Sequence, residues 1–372
     1  MGFAALGTSI NDQNFSGFTN ANNNLQTRLN SIYGSQAVWQ PLFQSTFDRW
    51  SQVSGLSYVF EGNDDGAAWI GPGNTLNQGI SGVRADVRIA GKALDGNSGV
   101  LAYNFFPDFG DMVIDTNDTF FENLSSNSIR LRNVVAHEHG HGLGMAHVES
   151  NNSAILMEPF YTGAFDGPQL HDILVAHRAY GDFNEKGAGN DAAVNATSLG
   201  AVADGGSVIV GDDARDTVVA FADTDFVSID DSTDTDFYSF TIAQDGVVDI
   251  LLESIGPTYN TSAQGGGGTT PFNSEQRSDL TLALLDTDGS SILSLQNATG
   301  LGGDEAISGF DLAAGTYFLR ITGVDNADSL TLDTQFYAAT VSFAANAVPE
   351  PGTAILLLVG GLGALGVRRR RN

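Results

Sequence analysis

The sequence predicts a multidomain chain: an α+β domain, then an all-β sandwich, then a short hydrophobic helix at the C-terminus. Helix and strand patterns alternate up to about residue 186, short β-type runs between Asp and Gly turns begin at about residue 191, and the last residues combine an apolar run with four arginines. We therefore divide the chain into a polar N-terminal segment (1–38), the α+β domain (39–186), the sandwich (191–345) and the tail (348–372). A chain of 372 residues is long enough for more than one hydrophobic core.

The composition excludes several classes of partner and site. With 44 acidic residues against 16 basic ones the net charge is −28, so a polyphosphate would be repelled and we expect no nucleic acid as a partner. The chain has no cysteine, which rules out disulfides, cysteine nucleophiles and thiolate metal sites. Any zinc site must therefore use nitrogen and oxygen ligands.

The α+β domain is predicted from its apolar periodicity. Apolar side chains at three- and four-residue intervals between Trp39 and Trp50 indicate an amphipathic helix. A second helix is predicted from about Ser128 through the histidines that follow, and a third over 168–180. Alternating apolar residues predict strands, with turn residues between them, over 56–60, 83–89, 99–106 and 111–115.

The second half of the chain has a different sequence pattern, with predicted strands and no predicted helices before the tail. Beyond a linker at about 182–190, strand patterns typical of a β-sandwich recur at 207–210, 237–242, 247–252, 280–285 and 316–321. Residues 261–276, which include four consecutive glycines, are predicted to form a flexible loop within it. The tail has an apolar run over 354–367, which is shorter than the roughly twenty residues of an ordinary spanning helix.

The residues suited to chemistry are concentrated in one stretch that holds four of the six histidines. On a helix, His137 and His141 lie on one face and can reach one zinc ion at about 2.0–2.1 Å. Glu138 lies beside the first of them, where it can take a proton from a zinc-activated water and deliver it to a leaving amine. His147 supplies a third ligand if the helix breaks at Gly144, and the fourth position stays open for water and substrate.

The spacing His-Glu-x-x-His-x-x-Gly-x-x-His resembles the metzincin metallopeptidases and, within them, the matrixin family. The resemblance implies that the α+β domain is a metzincin-like catalytic domain. It continues at Met157, which would lie under the zinc in a Met-turn, and at Pro159 and Tyr161, which would line the pocket for a substrate side chain. Leu101 and Ala102 belong to a stretch similar to the matrixin edge strand, which pairs with an extended substrate.

The same resemblance bears on the number of metal ions. Six residues fall where matrixins bind calcium, and their carboxylates or turn carbonyls suit that ion: Asp86, Asp95, Gly96, Asp111, Asp115 and Asp118. Ordinary turn roles are the alternative for each of them, so calcium stays open. Tyr103 and Val113 stand where matrixins carry ligands of a second, structural zinc, and we therefore expect one zinc ion. Without cysteine, the cysteine-based latency of the family cannot operate.

Two further resemblances concern the rest of the chain. Residues 234–240, 279–282 and 312–317 resemble the bacterial pre-peptidase C-terminal domain, which implies an accessory β-sandwich. The tail, with Val-Pro-Glu-Pro at 348–351, resembles a PEP-CTERM sorting signal. That signal implies an exosortase-type sorting enzyme as a partner, transient membrane association through the C-terminal helix, and export to the bacterial cell surface or the medium. The first residues lack the basic and apolar regions of a signal peptide.

The sequence thus predicts a zinc-dependent metalloendopeptidase that acts on a polypeptide substrate, with Glu138 as general base and acid. The alternative is a catalytically inactive cell-surface binding or adhesion protein in which the sandwich makes the contacts. The intact Glu138 and the three histidines favour the enzyme. We interpret His139 as a supporting or surface residue, and His171 and His177 as packing or hydrogen-bonding residues.

Overall fold

The computed structural model describes residues 1–69, 78–107, 109–152, 154–231, 233–324 and 334–346. Within these ranges the chain forms a first module, residues 1–186, that combines helices with a small sheet, and a second module, residues 187–346, that is rich in β-strands. The predicted order of an α+β domain before a β-rich one is confirmed. The predicted C-terminal helix falls on residues outside these ranges, and no helix within them is long and apolar enough to cross a membrane.

The first module consists of helices packed on a small sheet. Its elements are β1 (Gly2–Phe3), β2 (Ser9–Ile10), α1 (Gln13–Ser16), β3 (Ala21–Asn22), α2 (Leu25–Tyr33), α3 (Gln36–Gln52), β4 (Arg88–Lys92), β5 (Ala102–Asn104), β6 (Met112–Asp115), α4 (Ser125–Gly142), β7 (Val148–Glu149) and α5 (Leu170–Tyr180). The sheet has the order β1-β4-β6-β5, in which the first three strands are parallel and β5 is antiparallel at the edge. Residues 1–38, predicted as a separate polar segment, contribute β1 to this sheet and α2 to its packing.

Helix α3 builds the core of this module. Its apolar residues recur every three or four positions, so that Phe43 and Phe47 share a fully buried face. That face packs against Leu131 and Val135 of α4 and against Ile89 of the sheet. The predicted helix over 39–50 is therefore confirmed, and it places α4 at a fixed distance from the sheet.

Helix α4 carries the histidines. Ser126, Asn127 and Ser128 have φ between 52° and 56°, and the right-handed helix begins after this left-handed turn. The prediction of a helix from about Ser128 is confirmed. The helix ends at Gly142, and the chain reverses at Gly144, whose φ of 101° is a conformation that glycine adopts without steric cost.

The second module is a β-sandwich. Its strands are β8 (Thr197–Ala201), β9 (Ser207–Val210), β10 (Ser228–Ile229), β11 (Thr235–Ile242), β12 (Gly246–Ser254), β13 (Thr258–Ala263), β14 (Thr270–Asn273), β15 (Leu280–Leu285), β16 (Ile292–Gln296), β17 (Glu305–Leu312), β18 (Gly315–Gly323) and β19 (Gln335–Ala345). Short 3₁₀ helices span Ala193–Asn195, Asp212–Arg215 and Glu275–Arg277 in this module, and Phe120–Glu122 and Phe183–Glu185 in the first module. In the described ranges one sheet has the order β10-β19-β12-β17 with β9 also on β19, and the other has the order β16-β15-β18-β11-β8.

The two sheets of the sandwich share one core. Side chains alternate along β11, so that Tyr238 and Phe240 point inward and meet Ile250 and Leu252 of the opposite sheet. The five strand patterns predicted for this part of the chain coincide with β9, β11, β12, β15 and β18. These predictions are confirmed. Buried and more exposed positions alternate along most of β11, β12 and β18, whereas β15 is buried on both faces.

The strand predictions for the first module are partly wrong. Residues 56–60 form no regular strand: the Met1 ammonium group donates to Val59 O (2.9 Å), so this segment borders the N-terminus instead of joining the sheet. Of residues 83–89, the last two alone enter β4, because Arg84 closes a turn back onto Ile80. The pattern over 99–106 shortens to β5, and the one over 111–115 corresponds to β6.

The prediction of a flexible loop over 261–276 is also wrong. Strands β13 and β14 form a hairpin, and β13 pairs with β7 of the first module in the antiparallel direction. The sheet β14-β13-β7 therefore crosses from one module to the other. The glycines form the tip of the hairpin, where Gly265 and Gly267 have positive φ.

The modules also share a hydrophobic core. This cluster joins the end of α3 and helix α5 to the second module: Val53, Leu170, Ile173, Leu174, Phe226, Ile255, Tyr259, Phe272 and Phe336. Beside it, Arg49 of α3 is 1% exposed and donates to the main-chain oxygen of Asp223 at 2.7 Å. The sandwich is therefore packed against the helical module and not merely tethered to it.

Candidate metal centre and active site

Three histidines converge at one point beside α4. His137 and His141 lie one turn apart on the helix, and the reversal at Gly144 brings His147 back to them. The Nε2 atom of His147 lies 3.1 Å from Nε2 of His137 and 3.1 Å from Nε2 of His141. Nitrogen ligands placed tetrahedrally at about 2.0–2.1 Å from one zinc ion stand about 3.3 Å apart, so this arrangement fits a single ion.

Hydrogen bonds orient the two histidines of the helix. Nδ1 of His137 donates to Leu156 O at 2.7 Å, and Nδ1 of His141 donates to Met145 O at 2.7 Å. With Nδ1 protonated, the Nε2 lone pair of each ring is free for a metal. Burial lowers the pKa of His137 to about 3 and also lowers the pKa of His141, so both rings are neutral near pH 7.

The third histidine is oriented from the second module. Nδ1 of His147 lies 2.8 Å from Oε1 of Gln264, which follows β13 directly. An amide oxygen accepts a hydrogen bond as a carbonyl does, so the Nδ1–H tautomer is favoured here too. Sequence reasoning missed Gln264, because nothing near residue 264 indicates that it meets residue 147.

Glu138 lies next to the first histidine and lines the same cavity. It is 7% exposed, and burial raises the pKa of its carboxyl to about 8. A carboxyl group with such a pKa can accept and release a proton near neutral pH, which is the property required of a general base and acid.

Met157 packs against α4 at the level of the histidines. It is 1% exposed, and a Cβ atom added at Gly140 would stand 2.3 Å from its sulfur. The helix can approach Met157 this closely because residue 140 is glycine. The structure therefore places Met157 below the helix turn that joins His137 to His141.

Sequence reasoning also missed Asp172. This fully buried carboxylate at the start of α5 accepts main-chain hydrogen bonds from Leu156 (2.7 Å), Met157 (3.1 Å) and Gln169 (2.9 Å). Asp172 thereby fixes the segment that contains Leu156, whose main-chain oxygen accepts the hydrogen bond that orients His137. The Gln-x-x-Asp spacing of a capping box, which Gln169 and Asp172 form, was the available signal.

The histidines and Glu138 open onto a cavity of about 660 Å³. One wall is the sheet edge at β5, where Leu101 and Ala102 line the cavity, and the lining also includes Pro159 and Tyr161. An edge strand offers main-chain groups to an added extended peptide. The site therefore combines convergent ring nitrogens, a buried carboxyl and a cleft along a strand edge.

Residues 22–180 match the family model described as Matrixin. The first module is a matrixin domain. Among curated relatives, karilysin of Tannerella forsythia is 30% identical over 152 residues, which are 37% of this chain and 28% of that protein. Matrix metalloproteinase-25 of Mus musculus is 40% identical over 84 residues, which are 21% of this chain and 13% of that protein. The chain thus spans less than a third of the length of either relative.

Two further matches concern the rest of the chain. Residues 347–371, outside the described ranges, match the PEP-CTERM protein-sorting motif. Among solved structures, the pre-peptidase C-terminal domain of a collagenase from Bacillus anthracis is 15% identical, with a TM-score of 0.22, and the match covers 40% of this chain and 93% of that one. The kinship of the sandwich with that class of domain stays a prediction.

The six residues predicted to bind calcium do not form one group in the matrixin domain. Asp95, Gly96, Asp115 and Asp118 lie around one loop, in which Asp115 accepts from Gly96 N (3.0 Å) and Asp95 accepts from Val100 N (3.0 Å). Asp118 accepts from Phe120 N (2.6 Å), so these carboxylates at least serve as turn acceptors.

The two other predicted calcium ligands lie outside that loop. Asp86 is exposed, whereas Asp111 is buried, and its Oδ1 accepts from Arg88 N at 2.9 Å. Among the described residues, none of the six belongs to a group of three acidic or histidine side chains whose ligand atoms lie within 4.8 Å of one another. Calcium at these positions stays a prediction.

Tyr103 of β5 and Val113 of β6 are directly paired in the sheet. Val113 is fully buried, and the hydroxyl of Tyr103 donates to Oδ2 of Asp12. Oδ1 of the same carboxylate accepts from Lys92 Nζ at 2.7 Å, and both charged side chains are fully buried. A lysine ammonium group therefore supplies the positive charge at this place in the matrixin domain.

A second group of potential cation ligands lies at the junction of the modules. Carboxylate oxygens of Glu185, Asp191 and Asp234 come within 4.8 Å of one another. In the described structure, Glu185 Oε1, Asp234 Oδ1 and Asn190 Oδ1 are buried without a hydrogen-bond partner. Burial, and then neighbouring carboxylates, raise the pKa of Glu185 to about 9 and that of Asp234 to about 7. Sequence reasoning passed over this group because it treated 182–190 as a linker.

The remaining histidines take no part in the centre. His139 is 1% exposed and its Nε2 lies 2.6 Å from Tyr58 OH, so the interpretation of a surface residue is wrong. The hydrogen-bonding role of the other two is confirmed. His171 Nδ1 lies 2.8 Å from Tyr259 OH of the sandwich, and His177 bonds a hydroxyl and a main-chain oxygen.

Proposed function

We propose that the chain is a zinc-dependent endopeptidase whose zinc ion is held by His137, His141 and His147. The observation that carries this proposal is the convergence of three Nε2 atoms, with distances of 3.1 Å from His147 to each partner, beside the buried Glu138. A zinc ion bound there supplies a Lewis acid that polarises a peptide carbonyl and acidifies a water molecule. The match to matrixins supports the same class of activity.

Glu138 moves the protons. As a carboxylate it takes a proton from the attacking water, and as a carboxylic acid it delivers that proton to the nitrogen of the leaving amine. Its burial favours the protonated form, which keeps the proton in the cleft between the two steps.

The walls of the cleft bind the polypeptide. We expect the substrate to extend along β5, where Leu101 and Ala102 lie at the free edge of the sheet. Pro159 and Tyr161, which also line the cavity, form the pocket for a substrate side chain. The reversal at Gly144 keeps the third histidine in place.

The tail determines the destination of the protein. We infer that the PEP-CTERM motif over 347–371 is recognised by an exosortase-type enzyme, which is consistent with export to a bacterial cell surface or to the medium. Membrane association through the apolar run would then last until the tail is processed. The substrate is in that case an extracellular polypeptide.

The alternative, an inactive surface-binding or adhesion protein, is not favoured. A binding or adhesion role does not require a buried carboxyl group beside three convergent imidazoles, whereas peptide hydrolysis does. Each of these groups is present and oriented for chemistry.

The proposal is tested by measuring zinc content and cleavage of a quenched peptide library with the full chain. We expect one zinc per chain, and loss of cleavage on chelation that added zinc restores. Glu138→Ala should keep the zinc and lose at least about 100-fold in cleavage rate. Glu122→Ala, which removes a half-exposed carboxylate outside the cleft, is the matched control and should cleave normally. Full cleavage by Glu138→Ala would refute the proton-transfer role, and bound zinc with no cleavage of any peptide would favour the binding protein.

A further inference from the structure

The three candidate zinc ligands differ in the origin of the group that orients them. His137 and His141 donate to carbonyl oxygens within the matrixin domain, at 2.7 Å in both cases. His147 instead faces Oε1 of Gln264 at 2.8 Å, a residue 117 positions further along the chain. The orientation of one ligand therefore depends on the sandwich.

The strand pairing between the modules produces this contact. Val148 faces Ala263 in the antiparallel register of β7 and β13. One step further in the same register, His147 faces Gln264. Residues directly opposite in an antiparallel pair have Cβ atoms about 4.5–5.5 Å apart on the same face, so the register itself brings the amide to the imidazole. A slip by one residue would turn Gln264 to the other face.

Side-chain hydrogen bonds hold the hairpin in this register. Ser150 Oγ donates to Asn260 O at 2.6 Å, and Asn260 N donates to Asn152 Oδ1 at 2.7 Å. On the far side of Gln264, Gly265 N donates to Glu149 Oε1 at 3.2 Å. The bonds lie on both sides of the glutamine in the sequence, so its position is fixed from both directions.

The base of the hairpin is fixed in the shared core. Tyr259 is 1% exposed, its ring packs 5.3 Å from that of Phe272, and its hydroxyl bonds His171 of α5. Contacts with the shared core and with β7 thus define where Gln264 stands. Gln264 also lines the cavity that contains Glu138.

We propose that Gln264 is a positioning residue of the zinc centre, so that the sandwich completes the metal site of the matrixin domain. Its Oε1 accepts from Nδ1–H of His147, fixes that tautomer and ring orientation, and leaves Nε2 directed at the ion. This inference rests on the proposed function, since it requires that the three histidines bind zinc.

The test measures zinc affinity of the full chain by competition with a chromophoric chelator, so it does not depend on catalysis. Loss of the acceptor beside a metal-bound histidine typically weakens metal binding by about 10- to 100-fold. Because His147 is half-buried and water can replace part of the lost bond, we expect about a tenfold weaker affinity for Gln264→Ala. Gln264→Glu keeps an acceptor and should bind zinc at least as tightly as the native chain. Gln276→Ala makes the same change at an exposed residue of the same module and should match the native chain.

The outcomes separate this inference from the function on which it rests. A native chain that binds no zinc would overturn both. A native chain that binds zinc, with Gln264→Ala equal to it within twofold, would overturn the role of Gln264 alone. Equal losses in Gln264→Ala and Gln264→Glu would show that the hydrogen-bond acceptor does not position the ligand, and would also overturn it.

Discussion

Replacing Gly140 by alanine should destabilise the matrixin domain, although the same change usually stabilises a helix by about 1 kcal/mol. The added Cβ would stand 2.3 Å from the sulfur of Met157 and 3.2 Å from its terminal methyl carbon, where unstrained contacts are about 3.5–4.0 Å. Met157 is 1% exposed and has little room to move. An overlap of this size belongs at the upper end of the roughly 1–3 kcal/mol cost of overpacking, which leaves a net loss of about 2 kcal/mol.

Urea unfolding followed by tryptophan fluorescence measures this loss in the full chain. The three tryptophans, Trp39, Trp50 and Trp69, are all fully buried in the matrixin domain, so the signal reports on that domain. Zinc is removed beforehand, so that the packing term is measured without metal binding. The expected result is a lower midpoint with an unchanged slope.

A double-mutant cycle provides the control. Met157→Ala alone should cost about 2–5 kcal/mol, because it leaves a cavity under the helix. In that background Gly140→Ala should become neutral or stabilising, since the overlap is gone and the helix preference remains. A stabilising effect of Gly140→Ala in the native background, or the same effect in both backgrounds, would refute the close packing of Met157 against α4.

Three further results are expected. Lys92→Met leaves the buried Asp12 carboxylate without its cation and should cost about 3–5 kcal/mol in the same urea assay, against less than about 1 kcal/mol for Arg28→Gln in an exposed pair. Asp172→Asn keeps one acceptor oxygen for three main-chain donors and should cost about 1–3 kcal/mol. The raised pKa values of Glu185 and Asp234 mean that folding favours their protonated forms, so the melting temperature without metal should fall as the pH rises from about 4 to 9, and added calcium should reverse the fall.

Each of these results can fail in a definite way. A loss from Lys92→Met no larger than that of the exposed pair would mean that the Asp12 carboxylate is not held as a buried charge. Native stability of Asp172→Asn would mean that the segment around Leu156 does not depend on that carboxylate. A melting temperature that rises with pH, or that calcium leaves unchanged, would contradict the burial and charge repulsion inferred for the carboxylates at the module junction.

The centre could be predicted from the sequence because its ligands are local. Helical periodicity places His137 and His141 on one face, and one glycine suffices to bring back His147. Several sandwich strands could be predicted for a similar reason, since alternation along strands such as β11, β12 and β18 reports a buried face. Groups that contact the centre from distant parts of the sequence could not be predicted in this way. Gln264 lies 117 residues from His147 in the sequence and meets it through the pairing of β13 with β7. No local pattern encodes the register of that pairing.

The failed predictions have the same physical origin. An alternating pattern over 83–89 indicates a surface with one apolar face, but the turn that Arg84 forms with Ile80 withdraws most of that segment from the sheet. Four consecutive glycines predict a flexible segment when the sequence is considered locally. The residues before them pair with β7, however, and this pairing restricts their backbone. Tertiary contacts decide both cases, and a sequence read segment by segment does not contain them.

Strand β7 connects the candidate metal centre to the second module. Val148 N donates to Met157 O at 3.0 Å on one side, and β13 pairs with the strand on the other, so β7 lies between the turn under the helix and the hairpin of the sandwich. His147 immediately precedes it. A contact that fixes β13 against β7 therefore also favours the orientation of His147 that a metal requires. Because such coupling is reciprocal, a metal ion bound at the three histidines must strengthen the docking of the hairpin by the same free energy by which the docked hairpin strengthens metal binding.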